Sequence, residues 1–145
     1  EVILWKVEVL IQLDRQDEAL PLINKIRQRA ANSLENLKTA DGSYILNYKC
    51  ELYKPGVNCT WTKEFAWKAM EWENRLELAC EGRRFFDLQR WGTLEKTMNA
   101  YFAVERNRFD WMNIARFTAG RDEFFPISQA QMKWAKGNYT QNPGY

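Results

Sequence analysis

Apolar positions are nearly continuous at the start of the chain and then recur at helical spacing. The stretch 2–13 is apolar almost all round, with a narrow polar stripe marked by Glu8 and Gln12. This pattern predicts a helix that neighbouring elements cover on most sides. After a short turn, apolar residues repeat at intervals of three and four positions up to Ala30. The second stretch therefore predicts another helix.

The two predicted helices form an antiparallel hairpin over residues 1–31, close in length to a tetratricopeptide unit of about 34 residues. A single unit of this kind cannot bury both of its faces, and stacked repeats need about three units for stability. The chain also starts inside the helical pattern at Glu1, without an initiating Met. We therefore expect this hairpin to be part of a longer protein.

Helical periodicity disappears over residues 36–62, where Gly and Pro mark turns. Such a long connection without regular structure is uncommon and is often functional. It carries the aromatic residues Tyr44, Tyr48, Tyr53 and Trp61. These rings are candidates for a ligand surface, and the alternative is that they pin the loop to the body of the protein.

The rest of the chain predicts an all-α protein with long irregular loops. Helical spacing over 63–104 is clearest where Ala69, Trp72 and Leu76 share one apolar face. The next stretch, 105–127, has no clean period and is predicted to be irregular. A capping box predicts a short helix over 128–136. The residues 137–145 have turn chemistry and form a tail.

Composition narrows the chemistry that this chain can perform. It contains no histidine, which removes the usual proton shuttle and the commonest metal ligand, and no cofactor or metal motif is present. The net charge of +2 is spread evenly, so nothing favours nucleic-acid binding. No apolar run reaches the roughly 18 residues that span a bilayer. Cys50 and Cys59 are either a short-loop disulfide or two unrelated thiols.

Glu73, Glu77 and Glu81 are four residues apart and therefore share one face of a predicted helix. Retaining glycosidases hold two carboxylates about 5–5.5 Å apart. Carboxylates of one helix point the same way, however, whereas catalysis needs them on opposite sides of a sugar. A hydrolase that uses Glu73 and Glu77 is therefore the weaker interpretation. We predict instead a structural network that ties two helices together, with the members Glu73, Glu77, Glu81, Arg83, Arg84, Asp87 and Arg90.

Four motifs in order resemble the C-terminal part of the SusD/RagB family. They are DEALPLINKIR at 17–27, ELACEGRRFFDLQRWG at 77–92, FPI at 125–127 and QNPGY at 141–145. The resemblance implies a single SusD-like domain over 1–145, built on tetratricopeptide-like helix pairs. Such proteins are outer-membrane lipoproteins that bind glycans at the cell surface and cap a SusC-like TonB-dependent transporter. The lipid anchor implied by the family would be N-terminal and absent from this chain.

The resemblance therefore implies a non-catalytic glycan-binding protein for nutrient uptake. Sugar rings stack on aromatic faces, and their hydroxyl groups bind to polar side chains. By that chemistry the candidate ligand residues are Tyr48, Tyr53, Trp61, Asp110 and Trp111. Each aromatic among them is equally suited to a core or loop-anchoring position. The alternative function is a helical-repeat adaptor that binds another protein and no sugar.

Overall fold

A computed structural model describes residues 1–44 and 49–145, with the backbone alone at 34 and 35. Six α-helices occur within these ranges: α1 (Val2–Gln12), α2 (Gln16–Asn32), α3 (Lys63–Glu77), α4 (Arg84–Arg90), α5 (Leu94–Glu105) and α6 (Gln129–Trp134). Two 3-10 turns, Ser33–Leu37 and Asp110–Met112, accompany them. The described residues contain isolated bridges and no strand. The prediction of an all-α fold is therefore confirmed.

The chain divides into two compact units, Glu1–Glu81 and Gly82–Tyr145. In the first unit α1, α2 and α3 pack against one another around fully buried apolar side chains. These side chains are Leu4, Val7, Ile11, Ile23 and Met70. Helices α1 and α2 occupy the two stretches whose periodicity predicts a hairpin, and a turn at 13–15 joins them.

Helix α1 is less covered than its apolar sequence predicts. Its inner face, which includes Leu4 and Val7, is buried against the neighbouring helices. Val2, Trp5 and Val9 lie on the opposite side and are exposed. Only two helices pack against α1 within the described residues, so one apolar stripe stays at the surface.

Helix α3 uses a different face from the one that its apolar residues predict. Thr62 caps its first turn by accepting a hydrogen bond from the Phe65 backbone N–H at 3.2 Å. Trp72 and Leu76 are exposed at 46% and 64% of their surface. The buried face includes two polar residues, Glu73 and Asn74, together with Ala66, Ala69 and Met70.

The polar residues can face inward on α3 because each has a hydrogen-bond partner there. Asn74 donates its amide N–H to the Met70 carbonyl at 3.1 Å, and Glu73 receives a hydrogen bond from Arg27. A buried polar group that is hydrogen-bonded avoids most of the penalty of leaving water. Asn74 is thus satisfied within α3, whereas Glu73 depends on a partner from α2.

Helix α3 ends at Glu77, and a turn at 78–82 follows it. Cys80 in this turn has a φ of 67°, a left-handed conformation in which the helix cannot continue. Cys50, Cys59 and Cys80 are all free thiols in the structure. The two cysteines of the long loop are therefore separate groups, and Cys50 donates a weak hydrogen bond to the Arg27 carbonyl.

The second unit has its own apolar cluster of Leu88, Leu94 and Phe117. Phe85 and Trp91 pack against it from α4 and its C-terminal end. Leu88 lies on α4 and Leu94 opens α5, so the cluster joins these two helices. The remainder of this unit is the extended and turn-rich chain that surrounds the short helix α6.

Ser128 caps α6 by accepting a hydrogen bond from the Gln131 backbone N–H at 3.3 Å. This helix is shorter than the predicted range 128–136, because Lys136 adopts a φ of 50° beyond its end. The tail is held in place by Gln141, whose amide accepts from the Ile127 N–H at 2.8 Å and donates to its carbonyl at 2.9 Å.

Candidate functional site

Two of the candidate ligand aromatics, Tyr53 and Trp61, lie in a cluster that attaches the long loop to the helices. Their ring centroids are 5.6 Å apart, and both rings also contact Phe65 on α3. The Trp61 indole N–H donates to the Gln16 carbonyl at the start of α2, at 2.8 Å. These contacts are those of residues that anchor a loop.

Tyr53 is held from a second side by helix α2. The Asn24 amide donates to its carbonyl at 2.9 Å and accepts from its N–H at 2.8 Å. The Arg27 guanidinium lies over the Tyr53 ring, 4.3 Å from its centroid. Burial raises the pKa of the Tyr53 hydroxyl. One face of the Tyr53 ring is thus covered by the protein itself, and the contacts of Tyr53 and Trp61 favour the alternative in which these rings anchor the loop.

Tyr48, the third loop candidate, lies outside the described residues. The loop still shows why its aromatics could not be sorted by sequence alone. Tyr44 is exposed and its backbone forms an isolated β-bridge with Lys38, whereas Tyr53 is half-buried against α2. Among the described loop aromatics, Tyr53 and Trp61 are placed by contacts with α2, which is distant along the chain, whereas Tyr44 contacts the nearby Lys38.

The predicted glutamate network connects two helices, but its cations come from a different element. Arg27 pairs with Glu73, and Arg29 pairs with Glu77 through an Nη2–Oε2 distance of 2.7 Å. Both arginines belong to α2 rather than to the ELACEGRR motif. The sequence interpretation drew its cations from residues close in the chain, so it missed the two that helix packing brings to α3.

The other members of the predicted network lie elsewhere. Asp87 is buried and pairs with Arg90 within α4, at 3.1 Å. Glu81 is exposed in the turn that follows α3. Arg84 lies over the Trp91 ring, 5.7 Å from its centroid. The Asp87–Arg90 and Arg84–Trp91 contacts belong to the second unit.

Glu73 is the most buried carboxylate of the α2–α3 pairing. Its burial raises the pKa of the carboxyl group, although the Arg27 guanidinium opposes that shift. A cavity of about 300 Å³ beside it is lined by both arginines and both glutamates. Each of the two carboxylates forms an ion pair with an arginine of α2, and these pairs join α2 to α3. This arrangement fits a structural role and gives no support to a hydrolase that uses Glu73 and Glu77.

The remaining candidates, Asp110 and Trp111, lie on a loop that follows α5. Trp111 is exposed over 69% of its surface, and Asp110 is exposed beside it. The Phe109 ring lies 5.9 Å from the Trp111 ring, with an angle of 38° between their planes. Phe109 is itself 46% exposed. We call Phe109, Asp110 and Trp111 the aromatic platform.

Polar and apolar contacts hold the loop that carries the aromatic platform. Met112 is buried and anchors the 3-10 turn that carries Trp111. The Arg106 side chain donates to the Phe102 carbonyl at 3.2 Å and to the Ala115 carbonyl at 3.4 Å. These two hydrogen bonds join the entry and the exit of the loop. The rings are therefore presented by a loop that is closed at its base.

Phe109 is the ring that sequence reasoning missed. It precedes Trp111 by two residues, in a stretch without helical periodicity. The N-terminal flank of the 3-10 turn is extended at Phe109, with a φ of −135° and a ψ of 109°. An aromatic pair at this spacing in an irregular stretch is thus a usable sequence signal.

The chain matches the SusD family over residues 1–145. It is also 31% identical, over 111 residues, to the SusD-like protein P38 of Formosa agariphila. That alignment covers 77% of this chain and 19% of the relative's length. The chain belongs to the SusD family, as its ordered motifs predict.

Proteins of the SusD/RagB family are binding proteins that act in glycan uptake, and the family is associated with the outer membrane and with lipid anchoring. The all-α fold with a repeat-like helix pair agrees with this membership. Within the described ranges, no helix combines the length and the apolar character needed to cross a bilayer.

Proposed function

We propose that this chain contributes to a non-catalytic, cell-surface glycan-binding protein that delivers oligosaccharides to a SusC-like TonB-dependent transporter. The observation that carries this proposal is the aromatic platform in a member of the SusD family.

The chemistry of the aromatic platform suits a sugar. Trp111 and Phe109 offer flat apolar faces to the C–H groups of a pyranose ring, and binding sites commonly combine such faces with a few polar groups. The Asp110 carboxylate accepts hydrogen bonds, so it can bind sugar hydroxyl groups. Because the rings are held before the ligand arrives, little conformational entropy is lost on binding.

The ligand class can be tested with oligosaccharide arrays followed by titration calorimetry, on the protein at the length that the cell makes it. We expect an oligosaccharide to bind and the Trp111→Ala variant to bind it about tenfold more weakly, equivalent to about 1.4 kcal/mol. Trp134→Ala is the matched control, because Trp134 is also exposed but lies on α6. Equal losses in the two variants would remove the aromatic platform from the proposal.

The transporter can be tested by co-purification from detergent-solubilised outer membranes. We expect the tagged protein to retain a TonB-dependent barrel, with or without sugar. The alternative adaptor function predicts a protein partner together with no binding on any glycan array. A peptide or another nutrient that binds where every glycan fails would contradict the proposed ligand class.

A further inference from the structure

A second small cleft lies in the first unit, at a distance along the chain from the aromatic platform. It is formed by the last turn of α1 and the first turns of α3, and its volume is about 340 Å³. Ile11 forms its apolar base, and the residues around it are Gln12, Lys63, Glu64 and Trp67. Trp67 is half-buried there. Neither the motifs nor the proposed function assigns a role to this α1–α3 cleft.

The positions on α3 explain how one aromatic and two charged groups come together. Lys63 and Glu64 precede Trp67 by four and three residues, so all three share one face of the helix. Long side chains on a helix lean toward its N-terminal end, which directs Trp67 toward the turn that carries the other two. Gln12 adds an amide from the end of α1.

The charges around the α1–α3 cleft are fixed by neighbouring groups. The Lys63 ammonium lies 2.6 Å from Asp14 Oδ1. A backbone hydrogen bond in the first turn of α3 and the Thr62 hydroxyl lower the pKa of the Glu64 carboxyl. Glu64 is therefore ionised at neutral pH. Asp14, Lys63 and Glu64 together carry a net charge of −1.

We propose that the α1–α3 cleft is a subsite for a single neutral pyranose ring. The ring stacks on Trp67, and its hydroxyl groups donate to the Glu64 carboxylate and bind to the Gln12 amide and the Lys63 ammonium. The volume is at the lower end of the range of about 300–1,000 Å³ for small-ligand sites, which suits one ring rather than an extended chain. Because the local charge is negative, uronic acids and sulfated sugars are disfavoured. This inference rests on the proposed glycan function.

The test uses the protein at the length that the cell makes it, labelled with nitrogen-15 at its tryptophan indoles. The Trp67 signal, assigned by its absence from the Trp67→Ala variant, can then be followed by NMR. The probes are free glucose, galactose, mannose and xylose, with glucuronic acid as the charged comparison. We expect at least one neutral sugar to shift the Trp67 signal in a saturable way. Glucuronic acid should bind about tenfold more weakly than that sugar.

Three variants separate the α1–α3 cleft from other surfaces. Trp67→Ala should abolish the saturable response of the remaining signals, and Glu64→Gln should weaken the neutral sugar several-fold and reduce the discrimination against glucuronic acid. Trp72→Ala is the matched control, because Trp72 is exposed on the same helix and does not line the cleft. Glu64 is exposed, so its variant keeps the test valid if Trp67→Ala fails to fold.

The outcomes distinguish this subsite from the proposed function. If sugar binding survives Trp67→Ala and Glu64→Gln but is lost in Trp111→Ala, the subsite is wrong and the glycan function stands. If no sugar shifts the Trp67 signal while an oligosaccharide shifts Trp111, the subsite is again wrong. If no sugar binds anywhere, both proposals fail together.

Discussion

At the scale of single residues, three side-chain amides form hydrogen bonds with backbone groups that a neighbouring strand would bind in a sheet. Asn24 binds both backbone groups of Tyr53, Asn99 binds those of Phe117, and Gln141 binds those of Ile127. All six hydrogen bonds are between 2.8 and 3.0 Å long. Backbone N–H and C=O groups that leave water need partners. In an all-α protein these amides satisfy the extended loop segments that no neighbouring strand can pair.

Asn24 is the first of these amides whose contribution to stability can be tested by substitution. Replacing it by Ala removes two hydrogen bonds and leaves the half-buried Tyr53 backbone without them, so we expect a loss of about 1–3 kcal/mol in the free energy of unfolding. Urea denaturation measures this. Gln28→Ala is the control on the same helix, because within the described residues its side-chain amide bonds only to the exposed Asn32. Equal midpoints for the two variants would show that the loop is held by its rings alone.

The sequence predicted contacts between residues that are close in the chain, and it did not predict contacts between residues that are far apart in the chain. The Ser128 cap is readable because its partner is three residues away. Asn24 and Tyr53 are 29 residues apart, and nothing in their neighbourhoods marks the pairing. The same distinction separates Trp61 from Trp111. Both are aromatic residues on irregular segments, and only the packing of α2 and α3 places one against the body of the protein.

At the scale of elements, the pairing of α2 with α3 depends on two ion pairs of unequal burial. Arg27 and Glu73 are largely hidden, with 17% and 7% of their side-chain surface exposed. Arg29 is 70% exposed where it meets Glu77. Removing one partner of a buried pair leaves an uncompensated charge, whereas an exposed pair contributes little. The two contacts should therefore respond very differently to substitution.

The Arg27→Ala variant should lose about 3 kcal/mol of stability near neutral pH, and Arg29→Ala at most about 1 kcal/mol. Burial and the neighbouring Glu77 carboxylate raise the pKa of Glu73 above its ordinary value of 4.5, and the loss of Arg27 removes the group that opposes this rise. A carboxyl group whose pKa is raised in the folded state stabilises the fold at low pH. This stabilisation is lost as the pH rises through that pKa. The defect of Arg27→Ala should therefore shrink on acidification toward about pH 4. Urea denaturation at several pH values checks this, and a pH-independent defect would contradict it.

The elements also show how much of the fold the pattern of apolar residues could predict. The sequence predicted α1 and α2 because the apolar residues that recur at helical spacing, such as Leu4, Val7 and Ile23, are the ones that pack. Helix α3 was placed correctly, but its buried face was not. Glu73 faces inward because Arg27 meets it, and Trp72 faces outward. A periodicity argument assigns polar residues to the surface, so it fails wherever a partner on another helix satisfies them.

At the scale of the whole molecule, each compact unit carries its own buried apolar set. The first unit is built on the packing of α1, α2 and α3, and the second on the cluster of Leu88, Leu94 and Phe117. The candidate ligand surfaces follow this division. The α1–α3 cleft belongs to the first unit, and the aromatic platform belongs to the second. Ligand binding at the two surfaces can therefore be perturbed separately by changes to one buried set.

Leu88→Ala tests whether the two buried sets stabilise their units separately. Leu88 is 4% exposed, and its truncation should cost the second unit about 2–5 kcal/mol. Native-state hydrogen exchange should then show faster exchange for the amides of α5 and unchanged exchange for those of α1 and α3. Ile23→Ala, at a fully buried position on α2, is the reciprocal control and should affect the first unit alone. Faster exchange throughout the chain in both variants would show that Glu1–Glu81 and Gly82–Tyr145 unfold as one cooperative body.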